Sequence, residues 1–184
     1  MTNQTDIAKL LQAVDFAAKK HKNQRRKGAD EQPYINHPIE VAEQIARVGK
    51  VSDINILLAA ILHDTVEDTD ATPEEIEAMF GSEVRGMVLE VTDDKNLSKP
   101  RRKELQIEHS PHLSFGAKHV KLSDKISNIR DVMQNPPPFW STERRLEYLA
   151  WGEKVVRGLR GVNADLEKMF DELIAEGRAK IAKE

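Results

Sequence analysis

The stretch Leu62-His63-Asp64-Thr65, continued by Val66-Glu67-Asp68, sets a histidine and three carboxylates at the end of the most apolar run in the chain. That run, from Ile54 to Leu62, reads as a buried helix. Such a helix has no structural use for an adjacent histidine and aspartate, because desolvating both is costly unless something pairs with them. A divalent cation pairs with both at once. A second histidine, His37, stands upstream, and Asp124 stands downstream within Lys121-Leu122-Ser123-Asp124-Lys125. Alone, His37 would be a helix cap and Asp124 the partner of Lys121 or Lys125. Together with His63 and Asp64 they form a ligand set drawn from three separate elements, which assembles only in the folded chain. Glu67 follows His63 by four residues and Asp68 follows Asp64 by four, the offset that puts side chains on one helical face a turn apart. One row could hold metal while the next reaches water or substrate. The remaining histidines, His21, His109, His112 and His119, read as solvent-facing or loop residues.

A second group of side chains suits phosphate. Lys19-Lys20-His21-Lys22-Asn23-Gln24-Arg25-Arg26-Lys27 is a dense basic run in a chain whose formal net charge is −3. A helix C-terminus favours cations, which accounts for Lys19, Lys20 and Lys22. Arg25, Arg26 and Lys27 lie beyond that helix and just before His37, where guanidinium forks can grip phosphate oxygens. The chain contains no cysteine, so a metal must be held by nitrogen and oxygen, a set that suits manganese, iron, magnesium or catalytic zinc. The acidic balance gives no footing for nucleic acid. No run reaches the roughly 18 apolar residues needed to span a bilayer. The first residues lack the basic and apolar regions of a leader, so a cytoplasmic location is expected.

These side chains need a scaffold. Helical periodicity dominates and strand alternation is nearly absent, which predicts an all-α fold in one domain over residues 1–184. The first helix is expected from Asp6 to Lys22, with Ile7, Leu10, Leu11, Val14, Ala17 and Ala18 as its apolar face, before a basic, glycine-bearing loop to Gln32. Pro38 favours a first helical position and leaves His37 at the cap of a helix bearing Ile39, Val41, Ala42, Ile45 and Ala46, with Gly49 as its stop. The next helix begins near Asp53 and is expected to continue through the His63-Asp64 motif. Thr72-Pro73-Glu74-Glu75 has the form of a capping box. Gly81 ends that short helix. Further helices are expected over Ser82–Val91, Pro100–Glu108, Phe115–Met133, Thr142–Leu159 and Ala164–Ala182, with Pro136-Pro137-Pro138 as a rigid break.

Three blocks carry a resemblance. Arg26-Lys27 with Pro33-Tyr34-Ile35-Asn36-His37-Pro38, then His63-Asp64-Thr65-Val66-Glu67-Asp68-Thr69, then Lys121 through Arg130 resemble, in order and spacing, the hydrolase domain of RelA/SpoT proteins. That family belongs to the HD-type metal-dependent phosphohydrolases, and the chain is most similar to its stand-alone branch. The resemblance covers essentially the whole chain and implies an HD-domain helical bundle. It implies hydrolysis of the 3′-pyrophosphate of guanosine tetra- and pentaphosphate to GDP or GTP plus pyrophosphate, with one divalent metal, usually Mn2+. On that resemblance the ligands are His37, His63, Asp64 and Asp124. Glu67 and Asp68 match the acidic pair of water activation and metal-shell support. Arg26, Lys27, Tyr34 and Asn128 match nucleotide-contacting positions, and Lys99 or Arg101 would reach the phosphates. Ser127 and Asp131 depart from residues seen in parts of the family, which bears on base selection. No synthetase or regulatory segment follows, so synthesis of the alarmone is not expected. The implied partner is a small-molecule guanosine nucleotide, with neither nucleic acid nor membrane; self-association into a homo-oligomer stays open. Two alternatives stand beside this reading. One is an NADPH 2′-phosphatase or another HD-type nucleotide phosphohydrolase, which needs the same metal, acids and cations. The other is a non-catalytic helical sensor, against which the intact Glu67-Asp68 pair argues.

Overall fold

The computed structural model describes residues 4–183. They form α1 (Gln4–Lys20), α2 (Asn36–Arg47), α3 (Ile54–Leu62), α4 (Thr65–Asp68), α5 (Pro73–Phe80), α6 (Ser82–Val91), α7 (Lys99–His109), α8 (Phe115–Gln134), α9 (Thr142–Arg157) and α10 (Ala164–Ile181). A 3-10 turn, Ser110–His112, links α7 to α8. The described residues contain no strand, only an isolated antiparallel bridge between Arg25 and Pro33 that closes the basic loop. The fold is all-α, as the periodicity predicts.

Short polar side chains start most of these helices by accepting an otherwise unbonded amide of the first turn. Asp53 accepts from Asn55, Ser98 from Arg101, Ser114 from Ala117, Ser141 from Arg144 and Asn163 from Leu166. Thr72 and Glu75 complete the reciprocal capping box. Apart from the helix expected to run through the His63-Asp64 motif, observed boundaries lie within two residues of those expected; α1 begins and ends two residues early, and α2 starts at Asn36, so His37 lies inside its first turn rather than at its cap.

α8 is the axle of the molecule. It packs on α2, α3 and α6 at one end and on α9 and α10 at the other. Ala117 and Val120 enter one apolar cluster; Leu122, Ile126, Ile129 and Met133 enter a second. α3 is apolar all round because it is surrounded, lying against α1, α2, α6 and α8. Charged α8 residues between the two clusters, Lys121, Asp124 and Lys125, are buried with them.

Four expectations need correction. Ile7 and Leu11 point outward, at 53% and 64% exposure, and Ile39 is also exposed. The buried face of α1 runs through Ala13 and Ala17 with Leu10, Val14 and Phe16 packed partly against the core, so Leu10, Val14 and Ala17 hold their expected side while Ile7 and Leu11 fall outside it. His21 and His119 are buried rather than solvent-facing. His21 bonds Gln24 and stacks on Tyr34, while His119 reads the Phe115 carbonyl. His109 and His112 are exposed, as expected. Finally, the helix expected to continue through the His63-Asp64 motif stops at Leu62 and restarts at Thr65. The Thr65 hydroxyl bonds the Leu62 carbonyl at 2.7 Å, a side-chain bond that competes with the helical ladder. Asp64 sits at φ −98°, ψ −4°, in the sparsely populated bridge region.

Candidate active site and metal centre

That break is what aims the motif. His63 leaves the end of α3, Asp64 occupies the turn, and both meet His37 from the first turn of α2 and Asp124 from the middle of α8. Nε2 of His63 lies 3.1 Å from Asp64 Oδ2 and 3.8 Å from Asp124 Oδ1. Nε2 of His37 lies 3.2 Å from Asp124 Oδ1 and 3.6 Å from Asp64 Oδ2. All four expected ligands therefore converge. Ring and carboxylate atoms of His37, His63 and Asp124 fall within 4.8 Å of one another, in buried surroundings.

Both Nε2 atoms are buried and make no hydrogen bond of good geometry. On His63 the other nitrogen, Nδ1, donates to the Ala60 carbonyl at 2.8 Å, so the neutral ring carries its lone pair on Nε2. Two lone pairs and two carboxylates facing one point form a cation site of nitrogen and oxygen donors. The carboxylates draw positive charge to this point, a proton on His63 or a metal in its place. Burial works against charging His63, but the carboxylates of Asp64 and Asp124 outweigh it and raise its pKa to about 10. Burial likewise opposes ionisation of Asp64, yet His63 and His37 hold it well below the usual carboxylate range. Asp124 is lowered too, chiefly by Lys125 against its own burial. The residues present fit a divalent metal.

The carboxylates are braced. Tyr34 donates its hydroxyl to Asp64 Oδ2 at 2.6 Å, and Asn128 donates to Asp124 Oδ1. Lys125, 4% exposed, donates to Asp124 Oδ2 at 3.0 Å. The surface ion pair weighed for Asp124 thus exists, buried and beside the metal position. Tyr34 also lines the neighbouring cleft, so its site position and its structural bond coexist.

Glu67 and Asp68 sit on α4, turned from α3 by the break. Burial pushes the Glu67 carboxyl up, partly offset by the Asp93 amide that donates to its Oε2 at 2.9 Å. Asp68 bonds neither His37 nor His63. Its Oδ2 accepts from Gln24 at 2.8 Å and its Oδ1 pairs with Lys95, so it fastens the basic loop and the α6–α7 connection to α4.

Beside this centre opens a cleft of about 830 Å³. Arg26, Lys27, Tyr34, Asp68 and Asn128 line it, as do Lys99, Arg102, Trp140, Arg144, Tyr148 and Trp151. Arg26 is not free: its Nε donates to Asp131 at 2.8 Å and its Nη2 to Asn128 at 2.9 Å. Asp131 is thereby occupied with Arg26. Lys27, Lys99, Lys103 and Arg144 border the cleft without a carboxylate partner among the described residues; Lys103 and Arg144 lie over aromatic rings instead. Burial and the nearby charges of Arg144, Lys27 and Arg102 lower the Lys99 pKa. Asp68, Asp93, Asp131 and Glu147 also line the cleft, but the cations outnumber them, and this positive excess favours an anion. Arg101 faces away, bonded to Glu104 and Glu108. Sequence reasoning missed the wall from α9. Its signal was present, since Trp140, Arg144, Tyr148 and Trp151 recur at steps of four, four and three, but that stripe reads equally as core.

The HD domain matches residues 13–147. Guanosine-3′,5′-bis(diphosphate) 3′-pyrophosphohydrolase MESH1 of Xenopus tropicalis is 52% identical over 172 residues, covering 94% of this chain and 96% of that protein. The chain belongs to the MESH1 family of HD-domain proteins. The MESH1 protein of Homo sapiens is 51% identical with the same coverage. Among solved structures, one described as a metazoan ortholog of SpoT that hydrolyzes ppGpp shares a TM-score of 0.89 and 48% identity, over 92% of this chain and 95% of that one. The MESH1 relatives thus match nearly the full length of the chain in sequence, and the SpoT ortholog matches it in fold.

Proposed function

We propose that the chain hydrolyses the 3′-pyrophosphate of guanosine tetra- and pentaphosphate, releasing pyrophosphate and GDP or GTP. The observation that carries the reading is the pair of buried, unbonded histidine nitrogens facing Asp64 and Asp124 at the edge of a cleft with an excess of positive charge. The names of the MESH1 relatives agree with it. His37, His63, Asp64 and Asp124 would hold the metal, taken as Mn2+. Such an ion supplies charge neutralisation at phosphate and a more acidic water.

The chain's own residues do the rest. Glu67, its pKa raised by burial, accepts a proton from the water that attacks the phosphorus on the ribose 3′-oxygen; that P–O bond breaks, and the 3′-oxygen takes up a proton from solvent to leave as the hydroxyl of GDP or GTP. Asp68 holds Gln24 and Lys95 and so fixes the basic loop and the α6–α7 connection beside the cleft. Lys27 and Lys99 meet the departing pyrophosphate, and Arg144 a further phosphate. Arg26 and Asn128 border the nucleotide while holding Asp131 and Asp124. Trp140 and Tyr148, with ring centroids 5.4 Å apart, offer an aromatic wall for the base. No helix among the described residues is long and apolar enough to cross a membrane. A nucleotide substrate of this kind suits a cytoplasmic location.

Purified protein with Mn2+ should be given guanosine tetraphosphate, NADPH and plain GDP side by side. Pyrophosphate released from the first at the highest kcat/KM is the expected result. Orthophosphate released preferentially from NADPH would move the assignment to the 2′-phosphatase reading.

A further inference from the structure

We infer that Ser127 and Glu40 form a relay that selects which ring nitrogen of His37 faces the metal position, which makes Ser127 a positioning residue. The inference rests on the metal reading given above. His37 Nδ1 lies 3.0 Å from Ser127 Oγ, with His37 2% exposed and Ser127 fully buried. The same Oγ lies 2.7 Å from Glu40 Oε2. A serine hydroxyl has one proton to give, and a carboxylate can only accept it. The proton therefore goes to Glu40, and Oγ accepts from His37 Nδ1–H. The neutral ring must then carry its lone pair on Nε2, the buried and unbonded atom that faces Asp64 and Asp124. The opposite tautomer would need Ser127 to donate to Nδ1, leaving Glu40 Oε2 against a lone pair. Arg130 Nη1 and Gln44 Nε2 both bond the other Glu40 oxygen, so the acceptor cannot turn away without losing them.

The two ligand histidines thus reach one state by different means. His63 uses the Ala60 carbonyl, which no substitution removes, whereas His37 uses side chains 87 residues apart in sequence. Ser127 follows Asp124 by three residues on α8, so one helical face presents both a ligand and the residue that orients another ligand. Hydrogen-bond partners of metal-bound histidines typically change metal affinity about 10- to 100-fold when removed.

The test is Mn2+ titration into chelator-treated protein, with free Mn2+ read by electron paramagnetic resonance, for wild type, Ser127→Ala, Glu40→Ala and the double variant. Thermal midpoints of the metal-free forms are measured alongside. The relay predicts a Kd raised about 10- to 100-fold in Ser127→Ala, raised also in Glu40→Ala, and no weaker in the double variant than in Ser127→Ala. Glu40 is one-third exposed, so its removal leaves the core intact and carries the test if Ser127→Ala fails to fold. A wild-type Kd in either single variant, or losses that multiply in the double variant, would overturn the relay. A wild type that binds no Mn2+ would instead overturn the metal reading on which it rests.

Discussion

At the scale of single residues, we propose Glu67 as the group that takes the water's proton, and its surroundings set the pH at which it can act. Burial raises its pKa, so the basic form is lost at a higher pH on acidification than in an exposed glutamate. The acid limb of the kcat/KM profile should follow this group. Glu67→Gln should remove that limb, lower the rate about 10²- to 10⁴-fold and leave Mn2+ binding intact; a pH–rate profile with a metal assay checks all three. Wild-type rate and profile in the variant would make Glu67 an ordinary surface carboxylate. Arg26 has two duties, because it ties the basic loop to Asp131 and Asn128 while bordering the cleft. Arg26→Ala should raise KM and also lower the melting temperature by a few degrees, as expected for loss of ~1 kcal/mol in a chain of this size. Unchanged kinetics with a lowered midpoint would leave Arg26 structural only. The convergence of His37, His63, Asp64 and Asp124 was legible in the sequence because histidine and aspartate at the end of an apolar run conflict with burial unless a partner compensates. His21 and His119 were not, since nothing local says that Tyr34 or α10 will cover them. Asp124→Ala is a poor probe of the metal, for it also strands the buried Lys125 ammonium. Asp64 and His63 are the cleaner positions.

At the scale of elements, starts and stops follow short-range rules and could be read directly. Thr72, Glu75, Ser98, Ser114, Ser141 and Asn163 each cap where a helix begins. Thr72→Ala removes one capping bond on α5, away from the cleft. It should cost ~1 kcal/mol and lower the melting temperature by about 2–4 °C, with kcat/KM unchanged; a melting curve and one kinetic assay suffice. A fall in kcat/KM without a fall in melting temperature would tie α5 to the site in a way its position does not predict. The break between α3 and α4 was not legible. Residues Ile54 to Asp68 contain no glycine or proline, and the interruption depends on the Thr65 hydroxyl and on the ring contacts of His63. The loop carrying the basic run is pinned in a similarly non-local way. Gly28 lies so close to α8's end that a Cβ there would stand 2.6 Å from the Asn135 carbonyl oxygen, and only a glycine fits.

At the scale of the whole molecule, α8 joins both apolar clusters and carries Asp124, Ser127, Asn128 and Asp131 along one side. We propose on this ground that the chain works as a single unit, with the metal centre at the seam between the clusters and the cleft between α7, α8 and α9. The all-α class followed from periodicity alone, whereas the α7 and α9 walls of the cleft needed the tertiary arrangement. The central claim is that one metal ion at His37, His63, Asp64 and Asp124 makes this cleft a pyrophosphohydrolase. It is tested most directly by adding Mn2+ stepwise to chelator-treated protein while measuring bound metal and pyrophosphate release from guanosine tetraphosphate in the same sample. Release should rise in proportion to occupancy and saturate at one ion per chain, and Asp64→Ala should show neither. Full release from the chelated protein, or saturated binding with no release, would contradict the account.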